Sequence, residues 1–151
     1  MEHFDDTQAL AQRVGTDVAT SGWHTITQDQ IQRFADATGD QQWIHTDPTR
    51  AAAGPFGSTI AHGFLTLSLV PQWLDGTVAV RSVRMGVNYG LNKVRFTAPV
   101  PVNSRLRAHF HLLACDALPQ GGWQVCWTVT VEREGESKPV CVAEFLALQY
   151  E

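Results

Sequence analysis

The sequence predicts an α+β chain in which a curved antiparallel sheet folds around an apolar helix, and three observations carry that prediction. Helical spacing dominates the first half, the period changes to two from about residue 80, and one helical segment is apolar on nearly every side. A helix with no polar face must be buried, and the long strands that follow it are the elements able to wrap it. A length of 151 residues suits one domain with one core.

Taken in order, the first ~20 residues carry no clear period and stay unassigned. Thr27-Gln28-Asp29-Gln30 matches a capping box, with Thr27 as N-cap and Gln30 reaching back to it. Ile31, Phe34, Ala35 and Thr38 follow at helical spacing, and Gly39 is placed to end the helix. Asp47-Pro48 starts a second short helix that runs through Ala51-Ala52-Ala53 to Gly54-Pro55. The apolar segment from Phe64 to Leu74 is the central helix, and Pro71 should kink it. Beyond it, Leu106, Ala108, Phe110 and Leu112 alternate with Arg105, Arg107, His109 and His111. Val125, Trp127, Val129 and Val131 do the same after a turn at Gly121-Gly122. The last strand, Pro139 to Tyr150, is apolar on both faces and is expected to be central in the sheet or covered by a partner.

Bulk properties narrow the function. Hydrophobic residues make up 44% and charged residues 17%, ordinary for a soluble globular chain. The acidic start, Met1 to Asp6, lacks a signal-peptide pattern, and the longest apolar run is too short to cross a bilayer. A cytoplasmic protein without a membrane partner is expected. A net charge of −4 argues against nucleic acid. Between Asp75 and Asp116 there is no acidic residue, yet Arg81, Arg84, Lys93, Arg95, Arg105 and Arg107 lie there. They form either solvated strand faces or a basic rim for a small polyanion. Cys115, Cys126 and Cys141 are far apart and contain no CxxC pair, so they read as small buried strand residues.

The segment Gly39-Asp40-Gln41-Gln42-Trp43-Ile44-His45 joins two helices, and a loop there lets a carboxylate and an imidazole converge. Such a pair can hold one water and move its protons in opposite senses, as general acid–base catalysis requires. An aspartate after a C-cap glycine is also a common turn residue, so spacing alone does not assign the pair. His109 and His111 share a strand face without a carboxylate or cysteine at useful spacing, so they are expected to face the surface with no metal.

Phe34-Ala35-Asp36-Ala37-Thr38-Gly39-Asp40, then His45, then Ala51, resembles the signature of the MaoC-like (R)-specific enoyl-CoA hydratases, with a nearer likeness to the NodN-type members. Ile60-Ala61-His62-Gly63-Phe64-Leu65 and Ser68-Leu69 resemble the start of that family's central helix. Asn92-Lys93-Val94-Arg95-Phe96 and Pro99-Val100-Pro101-Val102 are also similar. The family often has Asn-Pro in the loop where this chain has Gln42-Trp43, which bears on substrate range.

The resemblance implies a hot-dog fold, a homodimer, and hydration of trans-2-enoyl thioesters of coenzyme A or of an acyl carrier. Coenzyme A enters as part of the substrate, and no separate cofactor is implied. Asp40 and His45 fall on the family's catalytic aspartate and histidine. Gly63 is expected to offer its N–H to the thioester carbonyl, since a glycine permits close backbone approach. Ser68 would touch substrate or else bond the carbonyl one turn back. His62 would be a second active-site imidazole or, as the preferred reading, a helix-start residue bonded to nearby backbone. Lys93 and Arg95 are expected to share one side of a strand and to contact coenzyme A phosphates. The competing readings are a hot-dog acyl-CoA thioesterase and a non-catalytic partner subunit of a dehydratase.

Overall fold

Alternation of apolar and polar residues builds the larger part of the molecule. The computed structural model describes every residue from Met1 to Glu151. Its elements are β1 (Glu2–Phe4), α1 (Thr7–Ala11), β2 (Asp17–Thr20), β3 (His24–Thr25), α2 (Gln28–Thr38), α3 (Trp43–Thr46) and α4 (Pro48–Ala52). They continue with α5 (Gly63–Ser68), α6 (Val70–Asp75), β4 (Val78–Val80), β5 (Met85–Arg95), β6 (Arg105–Ala117), β7 (Trp123–Arg133) and β8 (Cys141–Tyr150). The unassigned N-terminus thus supplies two strands and a helical turn.

Strands β2, β6, β7, β8 and β5 lie side by side in that order, and β3 sits beside β2 along the same edge of β6. All of these pairings are antiparallel, while β1 and β4 form a separate parallel pair. Register puts Phe110 opposite Val129 and Trp127 opposite Phe145, so the apolar members of three strands share one face. Leu106, Ala108, Phe110, Leu112, Val125, Trp127, Val129 and Val131 are all buried there, as their alternation predicted. Each large side chain fully removed from water contributes roughly 1.5–3 kcal/mol. The last strand, β8, lies between β7 and β5 and is central in the sheet as expected; its Cys141, Ala143, Phe145 and Ala147 face is buried in the core, while the Val142, Leu146 and Leu148 face is half-buried.

Helices α5 and α6 press on that face through Leu65, Leu69, Val70, Trp73 and Leu74, which are all buried. Pro71 has no N–H for the carbonyl one turn back, and the two segments separate at Leu69. The expectation that this helix is covered on every side is not met within one chain. Phe64 is 68% exposed, and Ser68, Gln72 and Asp75 continue its open stripe.

The caps explain where the helices stand. Thr27 accepts from the Gln30 N–H at 3.1 Å, and Asp47 accepts from the Arg50 N–H at 2.9 Å. Half of the expected capping box is replaced, because the Gln30 side chain accepts from His24 Nε2 at 3.1 Å instead of reaching back to Thr27.

The acid-free basic stretch finds its acids across the fold. Arg81 pairs with Asp5, Lys93 with Glu144, Arg105 with Glu134 and Arg107 with Glu132. His109 and His111 also have carboxylate partners on neighbouring strands, Glu132 at 2.7 Å and Asp17 at 2.8 Å. Linear spacing cannot register such cross-strand partners. The three cysteines are free, and burial pushes the Cys115 and Cys141 thiols up to about 11. No helix is long and apolar enough to cross a membrane.

Candidate active site

Gly39 sets the direction of the chain into the site. Its φ of 81° is the left-handed conformation that glycine adopts freely, and its N–H closes α2 on the Ala35 carbonyl at 2.8 Å. Asp40 follows immediately. The next residues do not form the expected open loop: Trp43 to Thr46 make the single turn α3, and His45 stands on it. Gln28 holds that turn from α2, donating to the His45 carbonyl at 2.8 Å while accepting from Thr59 Oγ1 at 2.5 Å.

His45 is only 7% exposed. Its Nδ1 donates to the Ile60 carbonyl at 2.6 Å, which leaves the lone pair on Nε2. Burial is the main influence on the imidazole and lowers its pKa. The Ile60 carbonyl opposes that shift, neighbouring His62 adds to it, and Asp40 opposes it. The result is a neutral imidazole with a free acceptor nitrogen. Asp40 is exposed, with one carboxylate oxygen 3.4 Å from the Gln42 N–H.

His62 stands just ahead of α5, 3% exposed, and Nε2 donates to the Asp40 carbonyl at 2.9 Å. It does bond nearby backbone, and its ring also stacks on His45, with centroids 3.8 Å apart and planes 23° from parallel. Asp40, His45 and His62 each bring one polar side-chain atom within 4.8 Å of the others. The stacked rings aim their nitrogens along near-parallel planes, a poor arrangement for a shared cation but a good one for a water or hydroxyl held between Asp40 and His45.

Two hollows adjoin these groups. One, of about 350 Å³, is lined by His45, Gly63, Thr66, Phe96, Ile60 and Phe56 among others. The second is bounded by Asp40, Phe34, Thr38, Phe64 and Ser68. Gly63, the first residue of α5, lies under the Phe96 ring: a Cβ there would sit 2.6 Å from Cδ2 of Phe96. Ser68 faces the second hollow and donates its hydroxyl to the Phe64 carbonyl at 2.7 Å.

Lys93 and Arg95 stand where the end of β5 becomes irregular. Lys93 has φ of 49°, and the pairing of β5 with β8 shifts register between Asn92 and Arg95. Lys93 meets Glu144 at 3.1 Å, while Arg95 bonds its own neighbour's carbonyl. Gln28, Thr66 and Phe96 were missed as site residues by sequence reasoning. All three lie within stretches that the sequence singles out, Gln28 in the capping box, Thr66 in the central helix and Phe96 at the end of Asn92-Lys93-Val94-Arg95-Phe96, but nothing in those patterns points toward the site.

A curved antiparallel sheet packed on a central helix, with Asp40 and His45 gathered beside the start of that helix, is the architecture of a hot-dog protein. The profile of the MaoC like domain matches residues 9–132, and the chain belongs to this MaoC-like dehydratase family. It is 54% identical over 144 residues to 3-hydroxyacyl-thioester dehydratase Z of Mycobacterium tuberculosis, covering 95% of each chain. Nodulation protein N of Rhizobium meliloti is 46% identical over 137 residues, covering 89% of this chain and 85% of that one. R-hydratase PhaJ1 from Pseudomonas aeruginosa shares the fold, with a TM-score of 0.77 at 24% identity over 98% of this chain and 87% of the other.

Proposed function

We propose that this chain is a 3-hydroxyacyl-thioester dehydratase whose Asp40 and His45 interconvert (R)-3-hydroxyacyl and trans-2-enoyl thioesters, with coenzyme A as the carrier. The observation that carries this reading is the polarity of His45: Nδ1 is committed to the Ile60 carbonyl, which leaves Nε2 as the acceptor, and the imidazole and the Asp40 carboxylate bring polar atoms within 4.8 Å of each other. Relatives named for this dehydration and for R-hydratase activity support the same reaction.

In the dehydration direction, Nε2 of His45 takes the proton from Cα and electron density moves onto the thioester carbonyl. The amide of Gly63, unpaired in the first turn of α5, stands where it can stabilise that oxygen. The C3–O bond then breaks, and the imidazolium returns its proton to the departing hydroxyl, which leaves as water. Asp40 accepts the hydroxyl hydrogen, orients that oxygen and stabilises the transient imidazolium. One C–H and one C–O bond break, one C=C bond forms, and one proton moves through His45. Hydration is the same path reversed.

A homodimer accompanies this function. The edge strand β5 leaves Met85, Val87, Tyr89 and Leu91 each more than 40% exposed, a pattern that a single chain leaves open for pairing. Lys93 and Arg95 lie at the end of the same strand and are proposed to meet the coenzyme A phosphates. Ser68, on the wall of the hollow that contains Asp40, is proposed to border the bound acyl thioester.

The direct test follows the conjugated double bond of a short trans-2-enoyl-CoA. Asp40→Asn and His45→Gln should each lower kcat by at least about 10²-fold with the circular dichroism spectrum unchanged. Full activity in both would overturn the assignment, and release of free thiol in place of hydration would identify a thioesterase.

A further inference from the structure

The side chain that ties the two reacting groups together belongs to neither of them. We infer that His62 is a positioning residue for the dehydratase reaction, holding His45 by ring stacking and Asp40 by a hydrogen bond to its main chain. This inference rests on the Asp40–His45 reading proposed above.

The geometry is specific. One imidazole from the start of α5 makes both contacts: its face lies 3.8 Å from the His45 ring centroid, and its Nε2 donates to the Asp40 carbonyl at 2.9 Å. Phe34 packs at 5.0 Å and narrows the remaining freedom of the ring. Because Nε2 is the donor, the lone pair falls on Nδ1, a buried atom with no protein partner. Folding would readily supply a cheaper residue for filling that space, since an apolar ring leaves no nitrogen unsatisfied. The cost is understandable if the two contacts are what the position is for. His45 is otherwise fixed by a single hydrogen bond to Ile60, and one such bond allows the ring to swing about its axis. A second contact across the ring face removes that motion and aims Nε2 into the hollow.

A positioning role of this kind also leaves a mark on titration. The charged and titratable groups on the elements around His45 are few. His62 and Asp40 act on it directly, with opposite signs, whereas Asp47 caps α4, Arg50 lies over the Trp43 ring, and Asp36 is bonded to Gln32 and Gln41. Removing the imidazole at position 62 therefore moves the acid limb of the kcat/KM profile upward, because two protonated rings in stacking contact repel each other and that repulsion lowers the His45 pKa.

The experiment compares His62→Phe, which keeps a ring and loses the hydrogen bond, with His62→Gln, which keeps a donor and loses the ring. Steady-state hydration of a short trans-2-enoyl-CoA is followed across pH, alongside thermal melting of each variant. The expected result is a kcat at least roughly tenfold lower in both, KM within about threefold of wild type, and an acid limb shifted to higher pH. Wild-type kcat with an unmoved acid limb in either folded variant would overturn the inference. So would a loss explained wholly by a lower melting temperature, with normal kcat in the folded fraction. If one variant fails to fold, the other carries the comparison; if both fail, imidazole 15N shifts of His45 in His62→Asn decide it, an unchanged Nδ1–H tautomer and acid limb overturning the role. The reading on which this rests fails separately, through full activity of His45→Gln.

Discussion

At the scale of the residue, His45 and Asp40 act on each other from opposite surroundings, the imidazole buried and the carboxylate exposed. Burial holds the imidazole neutral, while the exposed carboxylate pulls its pKa back up. Asp40→Asn removes that upward pull, so the acid limb of kcat/KM should move to lower pH even as kcat falls. The sign follows from the base being active only when unprotonated: activity is lost as pH falls through the His45 pKa, and a lower pKa postpones the loss. A pH–rate profile of the variant checks this, and an upward shift would show that another group titrates. The resemblance singled out Asp40 and His45, which their spacing alone left unassigned. The stacking partner was not, because seventeen residues separate His45 from His62 and only the return of α5 brings the rings together.

At the scale of the element, α5 is where strand, helix and site meet. Its first residue must be glycine for a steric reason, since the Phe96 ring occupies the place of a side chain. Gly63→Ala should push Phe96 aside, disturb the amide proposed to meet the thioester and lower kcat by roughly 10²–10³-fold, the loss typical of a removed oxyanion donor. The double variant Gly63→Ala with Phe96→Ala tests the cause, because it restores space at that point; recovery of activity is the expected outcome. The helix boundaries near this site followed well from Thr27, Gly39 and the Asp47-Pro48 pair. The single turn α3 did not, because four residues are too few to show a period and their helical form depends on Gln28 and on the Ile60–Ile44 backbone bond.

At the scale of the whole molecule, one chain leaves the β5 edge open, with Met85, Val87, Tyr89 and Leu91 exposed along it. Two chains meeting along β5 would cover the edge and lengthen the sheet. Tyr89→Lys places a charge on that edge, and sedimentation should then report a monomer where the wild-type chain reports a dimer. A wild-type monomer would overturn the proposed dimer, and an unaffected dimer in the variant would move its interface elsewhere.

The sequence by itself determined the buried face of β6 and β7, because alternation at Leu106 to Leu112 and Val125 to Val131 puts those apolar side chains on one side of the sheet. It also determined the presence of the central helix and the two residues proposed to react. Tertiary structure alone decided how the charges pair, since Arg107 and His109 meet Glu132 only across strands. It alone placed His62 on His45 and Phe96 on Gly63. Contacts between residues far apart in the chain depend on how elements pack, and no local pattern encodes them.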